Sequence, residues 1–197
     1  MFDRQSWFIR EHVGLLKLAD TYDILDPQTH AQLGVAKEEP SMFLQLLGLV
    51  MERGMLPTKI CVYEGGDAKN LGALLFSIHR GFTFFRTRVE IRDAQGGLLG
   101  WLKSKLLTLG GAFSVFDAEG REVAGVKGEW IGWNFRLFDA KGVEIGIVTK
   151  KWAGLGKELF TTADNYIITL HEDPADQLAI LLLAAGLAVD TVYKERK

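Results

Sequence analysis

The stretch WNFRLFDAKGVEIG, residues 133–146, contains in one piece the pattern that decides the fold. Apolar Trp133 and Phe135 alternate with polar residues, which is the period of two expected of a β-strand with one buried face. Asp139 then opens a turn in which Gly142 can adopt the positive φ that hairpin loops need. The stretch predicts a β-hairpin.

The same unit recurs along the chain, with an acid placed seven or eight residues before a glycine in each copy. The five copies are Ile24-Leu25-Asp26 with Gly34, Val62-Tyr63-Glu64 with Gly72, Ile91-Arg92-Asp93 with Gly100, Val115-Phe116-Asp117 with Gly125, and Leu137-Phe138-Asp139 with Gly146. The later glycine falls inside the returning strand, where it is typical of a bulge or bend that curves a sheet.

A sixth hairpin is predicted from Glu158–Thr161 and Tyr166–Leu170, joined by residues 162–165. Six hairpins amount to about 12 antiparallel strands, and a sheet of that size must protect its two edges. Closure removes both edges at once. We therefore expect a mainly β fold, a closed antiparallel barrel of about 12 strands.

The segment Ser41–Arg53 departs from the strand pattern and predicts a helix over residues 41–53. It follows Pro40, begins with a serine suited to N-capping and stops at Gly54. The helix is apolar on nearly every side. Either it packs against a barrel end, or it exposes an apolar patch to a membrane or a protein partner.

A second helix is predicted over residues 174–193, where Asp173 can cap and Pro174 suits the first turn. Leu178–Val189 contains no charge, but a bilayer span needs about 20 apolar residues. A short helix that is apolar all round needs a core around it, and the barrel supplies one. We interpret it as the core helix of the barrel, not as a transmembrane anchor.

Composition limits the class of protein. The 197 residues fit one domain over residues 1–197, and a formal net charge of −2 argues against a nucleic-acid partner. Cys61 is the only cysteine, which fits a reducing compartment. The longest apolar run near the start is Trp7-Phe8-Ile9, too short for a signal peptide. The expected location is the cytoplasm, with peripheral membrane contact as an option.

Two segments resemble a known group. Ala163-Asp164-Asn165-Tyr166 leads through Asp173 and Asp176 into the segment Leu178–Val192, much as an acidic and aromatic segment enters the last helix of scramblases. Together with the hairpins, this resembles the phospholipid scramblase, tubby C-terminal and LURP-one-related superfamily. The opening Trp7–Asp26 is similar to bacterial members. The resemblance implies a barrel threaded by its C-terminal helix, and relatives that bind phosphoinositide headgroups or redistribute lipids with calcium.

No catalytic residue, cofactor or metal site is predicted. The histidines, His12, His30, His79 and His171, are scattered, and no phosphate-loop, dinucleotide or nucleophile-elbow motif occurs. Cys61 lies in an apolar strand, where cysteine behaves as a small hydrophobe. The acids around residues 164–176 are interrupted by the predicted strand Tyr166–Leu170. They depart from a continuous calcium loop, so calcium binding is not expected.

The third hairpin carries the best binding candidate. Outward-facing Arg86 and Arg88 on one strand, and Lys103 and Lys105 on the next, would form a basic patch beside Trp101. A smaller second cluster consists of Lys150, Lys151 and Trp152. An alternative interpretation of the first patch is a solvated strand face whose charges discourage edge pairing.

Three functions remain open at this stage. The first is a non-catalytic module that contacts anionic lipid headgroups or a membrane surface through the basic patch. The second is a structural or protein-interaction barrel with a partner bound at Ser41–Arg53. The third is an enzyme with a site at a barrel end. Salt-sensitive lipid binding, a salt-insensitive protein complex and a deep polar pocket would distinguish them.

Overall fold

The computed structural model describes residues 1–12, 20–39, 57–81, 88–104, 112–129, 133–150, 165–173 and 175–193. The predicted helix 41–53 and the predicted strand Glu158–Thr161 lie outside them. The described elements are β1 Ser6–Glu11, β2 Thr21–Leu25, β3 Gln32–Glu38, β4 Thr58–Gly66, β5 Leu71–Arg80, β6 Arg88–Asp93, β7 Leu98–Ser104, β8 Ala112–Asp117, β9 Glu122–Glu129, β10 Asn134–Asp139, β11 Glu144–Thr149, β12 Tyr166–Leu170 and α1 Asp176–Tyr193.

The twelve strands form a closed antiparallel barrel, as the repeat predicts. Each strand pairs with its neighbours in chain order, and β1 closes the ring by pairing with β12 as well as with β2. Five hairpins and β12 account for eleven of the described strands. The twelfth is β1, which the hairpin repeat did not include, so closure depends on a strand from outside the repeat.

The hairpin turns have the chemistry that the acid and glycine predict. In the β10–β11 turn, Oδ1 of Asp139 accepts hydrogen bonds from the backbone N–H groups of Lys141 and Val143, at 2.9 and 2.8 Å. Gly142 has φ 85°, in the left-handed region that favours glycine. The β4–β5 turn differs in one respect. There Asp67, and not Glu64 of the repeat, accepts the turn hydrogen bonds.

Each hairpin also has a register shift of the kind that the later glycine predicts. Gly100 lies opposite Ile91, next to the shift between β6 and β7. A Cβ at this position would collide with the backbone oxygen of Phe116 and lie 2.9 Å from Cδ2 of Leu181 in α1. Glycine here lets the strand approach both its neighbour and the enclosed helix.

The helix α1 occupies the barrel interior, which confirms its interpretation as a core helix. It begins at Asp176, slightly later than the predicted start at residue 174. Every residue from Leu181 to Val189 is buried, with the leucines at 1% exposure or less, and the cluster that contains them includes inward-facing residues from all parts of the barrel wall. No helix among the described residues is long and apolar enough to cross a bilayer.

The outer wall is held at β1–β3 by one buried carboxylate, since the side chain of Asp23 is only 6% exposed. Its Oδ2 accepts from Arg10 at 2.7 Å and lies 2.8 Å from Nε2 of His12, while its Oδ1 accepts from Gln32 at 3.2 Å. Burial raises the pKa of Asp23, but the hydrogen bonds from Arg10 and His12 outweigh it. The pKa therefore lies below the ordinary value of 3.8.

Replacing Leu182, in the middle of the buried run, tests the core helix. We expect Leu182→Asp to leave an unpaired charge in the barrel interior and to cost more than about 4 kcal/mol, enough to prevent folding. The control is Gln177→Asp, because Gln177 is exposed in the first turn of the same helix. Circular dichroism and size exclusion compare the two, and a folded, monomeric Leu182→Asp protein would contradict the core assignment.

Asp23→Asn tests the outer-wall network. Because the folded pKa of Asp23 lies below the unfolded value, its carboxylate stabilises the fold above about pH 4, and that contribution is lost as the pH falls through the folded pKa. We expect the variant to lose about 1.5–3 kcal/mol of unfolding free energy near neutral pH and to be less sensitive to acid. Urea unfolding across pH measures both effects. Glu119→Gln, at an exposed turn, should change neither.

Candidate functional site

The third hairpin, β6 and β7, has an apolar inner face that fixes its orientation. Val89 and Ile91 of β6 and Leu102 of β7 are buried in the core. Because side chains alternate along a strand, their neighbours must project from the outer wall of the barrel. Arg88 and Lys103, which flank these buried residues, are accordingly exposed.

The register brings two of the predicted basic residues together. Arg88 and Lys103 are direct cross-strand partners, and Trp101 lies on the same outer face opposite Glu90. Directly opposed side chains have their Cβ atoms about 4.5–5.5 Å apart, so the two cations raise the local positive potential. The other two predicted members of the patch, Arg86 and Lys105, lie outside the described residues.

Trp101 forms the apolar part of this surface. The guanidinium carbon of Arg88 lies 4.4 Å from the centroid of the Trp101 ring, within the range of a cation–π contact. On its other side Trp101 stacks on Phe116 of β8, with centroids 5.3 Å apart and planes 13° apart. Both rings are half-buried on the outer wall. The site therefore combines a paired cation surface with a flat aromatic platform.

Glu90 is the member of the site that the sequence analysis left out of the basic patch. Its carboxylate lies 3.5 Å from Arg88 and 2.7 Å from Arg92, between the two guanidinium groups. Side chains alternate along β6, which places Arg88, Glu90 and Arg92 on one face. The contacts of Glu90 with the two arginines could therefore be predicted from the sequence. Glu90 offsets part of the positive charge of Arg88 and Arg92.

The second predicted cluster is described only at Lys150. Its Nζ lies 4.3 Å from the centroid of the Trp133 ring, another cation–π contact. Trp133 has φ 48°, which is rare for a bulky residue, and its ring packs against Phe135 and Tyr166. Lys151 and Trp152 lie outside the described residues.

A serine–histidine pair lies next to this hairpin, and the sequence analysis missed it. Oγ of Ser77 and Nε2 of His79 on β5 are 2.9 Å apart, the spacing of a nucleophile and its base. Burial and the cations Lys59 and Arg92 lower the pKa of His79. Ser77 is only 5% exposed, so its hydroxyl is largely shielded from solvent. The pair is a hydrogen bond between neighbouring side chains of the outer wall.

Cys61 on the neighbouring strand β4 is also buried. Burial raises the pKa of its thiol, and the nearby carboxylate of Glu39 raises it further. The thiol therefore stays protonated, and only the thiolate is an effective nucleophile. This agrees with the small-hydrophobe interpretation of Cys61.

A cleft of about 320 Å³ lies where α1 begins, at the other end of the barrel from the third hairpin's cations. Its apolar floor includes Leu170 and Leu182, and its rim carries carboxylates and His171. Nε2 of His171 is 3.9 Å from Glu144, too far for a hydrogen bond. Among its described lining residues there is no serine, threonine, cysteine or lysine.

Across the described residues, no group of three or more His, Cys, Asp or Glu side chains is placed to hold a metal.

Comparison with known proteins identifies the family. The family model described as Scramblase matches residues 67–196, which include the third hairpin, the strands up to β12 and the core helix. No curated protein matches the chain, and no solved structure does. The match covers well over half of the sequence and agrees with the barrel around a C-terminal helix. The chain belongs to the Scramblase family.

Proposed function

We propose that this protein is a non-catalytic module that contacts anionic lipid headgroups at a membrane surface. The observation that carries the proposal is the direct pairing of Arg88 with Lys103 beside Trp101. Membership of the Scramblase family supports a role connected with lipids. We further propose that the contact is peripheral and takes place at the cytoplasmic side.

The chemistry of the three side chains suits a phosphate at an interface. A guanidinium can bind phosphate through two parallel hydrogen bonds, and an ammonium adds a mobile point charge. Like charges directly opposite one another on a sheet are destabilising, and an anionic headgroup would relieve that repulsion. Trp101 adds an amphipathic ring of the kind that settles at the headgroup level of membranes.

The expected attachment is weak and reversible. Each basic residue near an anionic membrane contributes about 1 kcal/mol, so Arg88 and Lys103 together supply about 2 kcal/mol. The contact of Glu90 with Arg88 reduces this figure. Because the attraction is electrostatic and exposed, it should fade as salt shortens the screening length.

The double change Arg88→Glu with Lys103→Glu tests the proposal. We expect wild type to cosediment with vesicles that contain phosphatidylserine, and not with pure phosphatidylcholine vesicles. The double variant should bind roughly 30-fold more weakly, while its melting temperature stays near that of wild type because both side chains are exposed.

The matched control is Lys69→Glu with Lys141→Glu, which makes the same change of charge at two exposed turn positions. If the charge of the whole protein governed binding, both double variants would lose it equally. Equal binding by wild type and by the Arg88, Lys103 variant would remove this site from the proposal.

A further inference from the structure

The described cation–π pairs all lie on one side of the barrel, between β6 and β11. Each one sets a cation against a ring from the adjoining strand or strand end. They are Arg88 with Trp101 at 4.4 Å, Lys127 with Phe138 at 5.1 Å, and Lys150 with Trp133 at 4.3 Å. A charged group packed on an aromatic ring combines a polar part with an apolar part. Such a pair suits the boundary between water and lipid.

These cations also share one end of the barrel. Arg88 is the first residue of β6, Lys103 and Lys127 fall near the ends of β7 and β9, and Lys150 directly follows β11. Since the strands alternate in direction, all four positions lie at the end opposite the hairpin turns. We name Arg88, Lys103, Lys127 and Lys150 the basic rim.

The opposite end of the barrel is acidic as a result of the hairpin repeat. Every described hairpin turn carries a capping aspartate at that end, and the approach to α1 adds further acids. They are Asp26, Asp67, Asp93, Asp117, Asp139, Glu172, Asp173 and Asp176. The described cations there, Arg4, Lys69, Arg92, Arg121 and Lys141, are fewer. We name this end the aspartate end.

On the β6–β11 side, the described charges are therefore separated along the barrel axis, with Glu129 as an acid at the rim end, although the whole chain has a formal net charge of only −2. Other acids described at the rim end, Glu11, Asp20, Glu38 and Glu39, belong to the β1–β3 side. A barrel with an acidic end and a basic rim on one side of the other end experiences a torque near an anionic surface, because the acids are repelled and the rim is attracted. The negative potential of a lipid surface extends about one Debye length, so it acts most strongly on the end of the barrel nearest the bilayer.

We infer that the barrel docks on an anionic bilayer in one orientation, with the basic rim against the lipid and the aspartate end directed into solvent. This rests on the proposed function and extends it from the Arg88–Lys103 site to Lys127 and Lys150. Of the rings beneath the cations, that of Trp133 lies at the rim, whereas Trp101 reaches the Gly120 turn and Phe138 adjoins Asp139. The helix α1 stays enclosed, since Leu181–Val189 is already buried within the barrel.

A pair of single charge reversals tests which end docks. Lys127→Glu and Lys141→Glu change charge equally at exposed positions of opposite ends. On vesicles of mixed phosphatidylserine and phosphatidylcholine, Lys127→Glu should weaken binding at least about five-fold, whereas Lys141→Glu should not weaken it. Equal affinities for Lys127→Glu and wild type, with normal melting temperatures, would overturn the inference.

A second measurement reads the orientation without changing charge. Asn134→Cys and Val143→Cys place a fluorophore at the two ends of the β10–β11 hairpin, at exposed uncharged positions. The native Cys61 is 1% exposed, and labelling of wild type gives the background. Lipids with a quencher at the headgroup should quench the label at residue 134 much more than the label at residue 143. Equal quenching, or stronger quenching at residue 143, would overturn the inference.

The outcomes separate this inference from the proposed function. If the Arg88, Lys103 double variant loses binding while Lys127→Glu does not, the local site stands and the extended rim is wrong. If wild type binds no anionic vesicle, both are wrong. Inorganic phosphate at millimolar concentration should not compete with the vesicles. If it does compete, the site takes soluble anions, and the docking inference is overturned.

Discussion

The burial of α1 inside the β-barrel is the constraint on which the rest of the structure depends. A helix that is apolar on every side is unstable when it is exposed to water. The nine residues Leu181–Val189 are buried because the sheet surrounds them. The barrel also depends on the helix, because the interior of a ring of twelve strands must be filled. Close approach of the two is possible where Gly100 and Gly186 have no side chain to collide with the opposing surface.

Because the helix fills the barrel, we propose that the functional contacts lie on its outside. The interior that other barrels use for ligands is taken by leucine, valine and alanine side chains of the helix. Successive side chains of a strand point to opposite faces, so every second residue projects from the outer wall. Arg88, Trp101 and Lys103 reach the surface for this reason, and the same reason puts Glu90 beside them.

The turn chemistry that closes each hairpin has an electrostatic consequence. An aspartate is suited to these turns because its carboxylate accepts hydrogen bonds from the turn backbone, as Asp93 and Asp139 do. Five such turns at one end of a closed barrel concentrate negative charge there. A requirement of folding thus makes this end of the barrel acidic, and the basic rim lies at the end that we propose to face lipid.

The sequence by itself determined the hairpins, the alternation of their faces, the closed barrel and the core helix, because turn residues and hydrophobic periodicity act over a few positions. It also placed Arg88, Trp101 and Lys103 on one outward face. Only the tertiary structure decided that β1 closes the ring on β12, since that pairing joins Ser6 to Thr169 across nearly the whole chain. The contacts of Lys127 with Phe138, and of Ser77 with His79, likewise depended on side-chain conformations that no local pattern records. Such contacts follow from strand register and packing, which are settled when the barrel closes and the helix fills it.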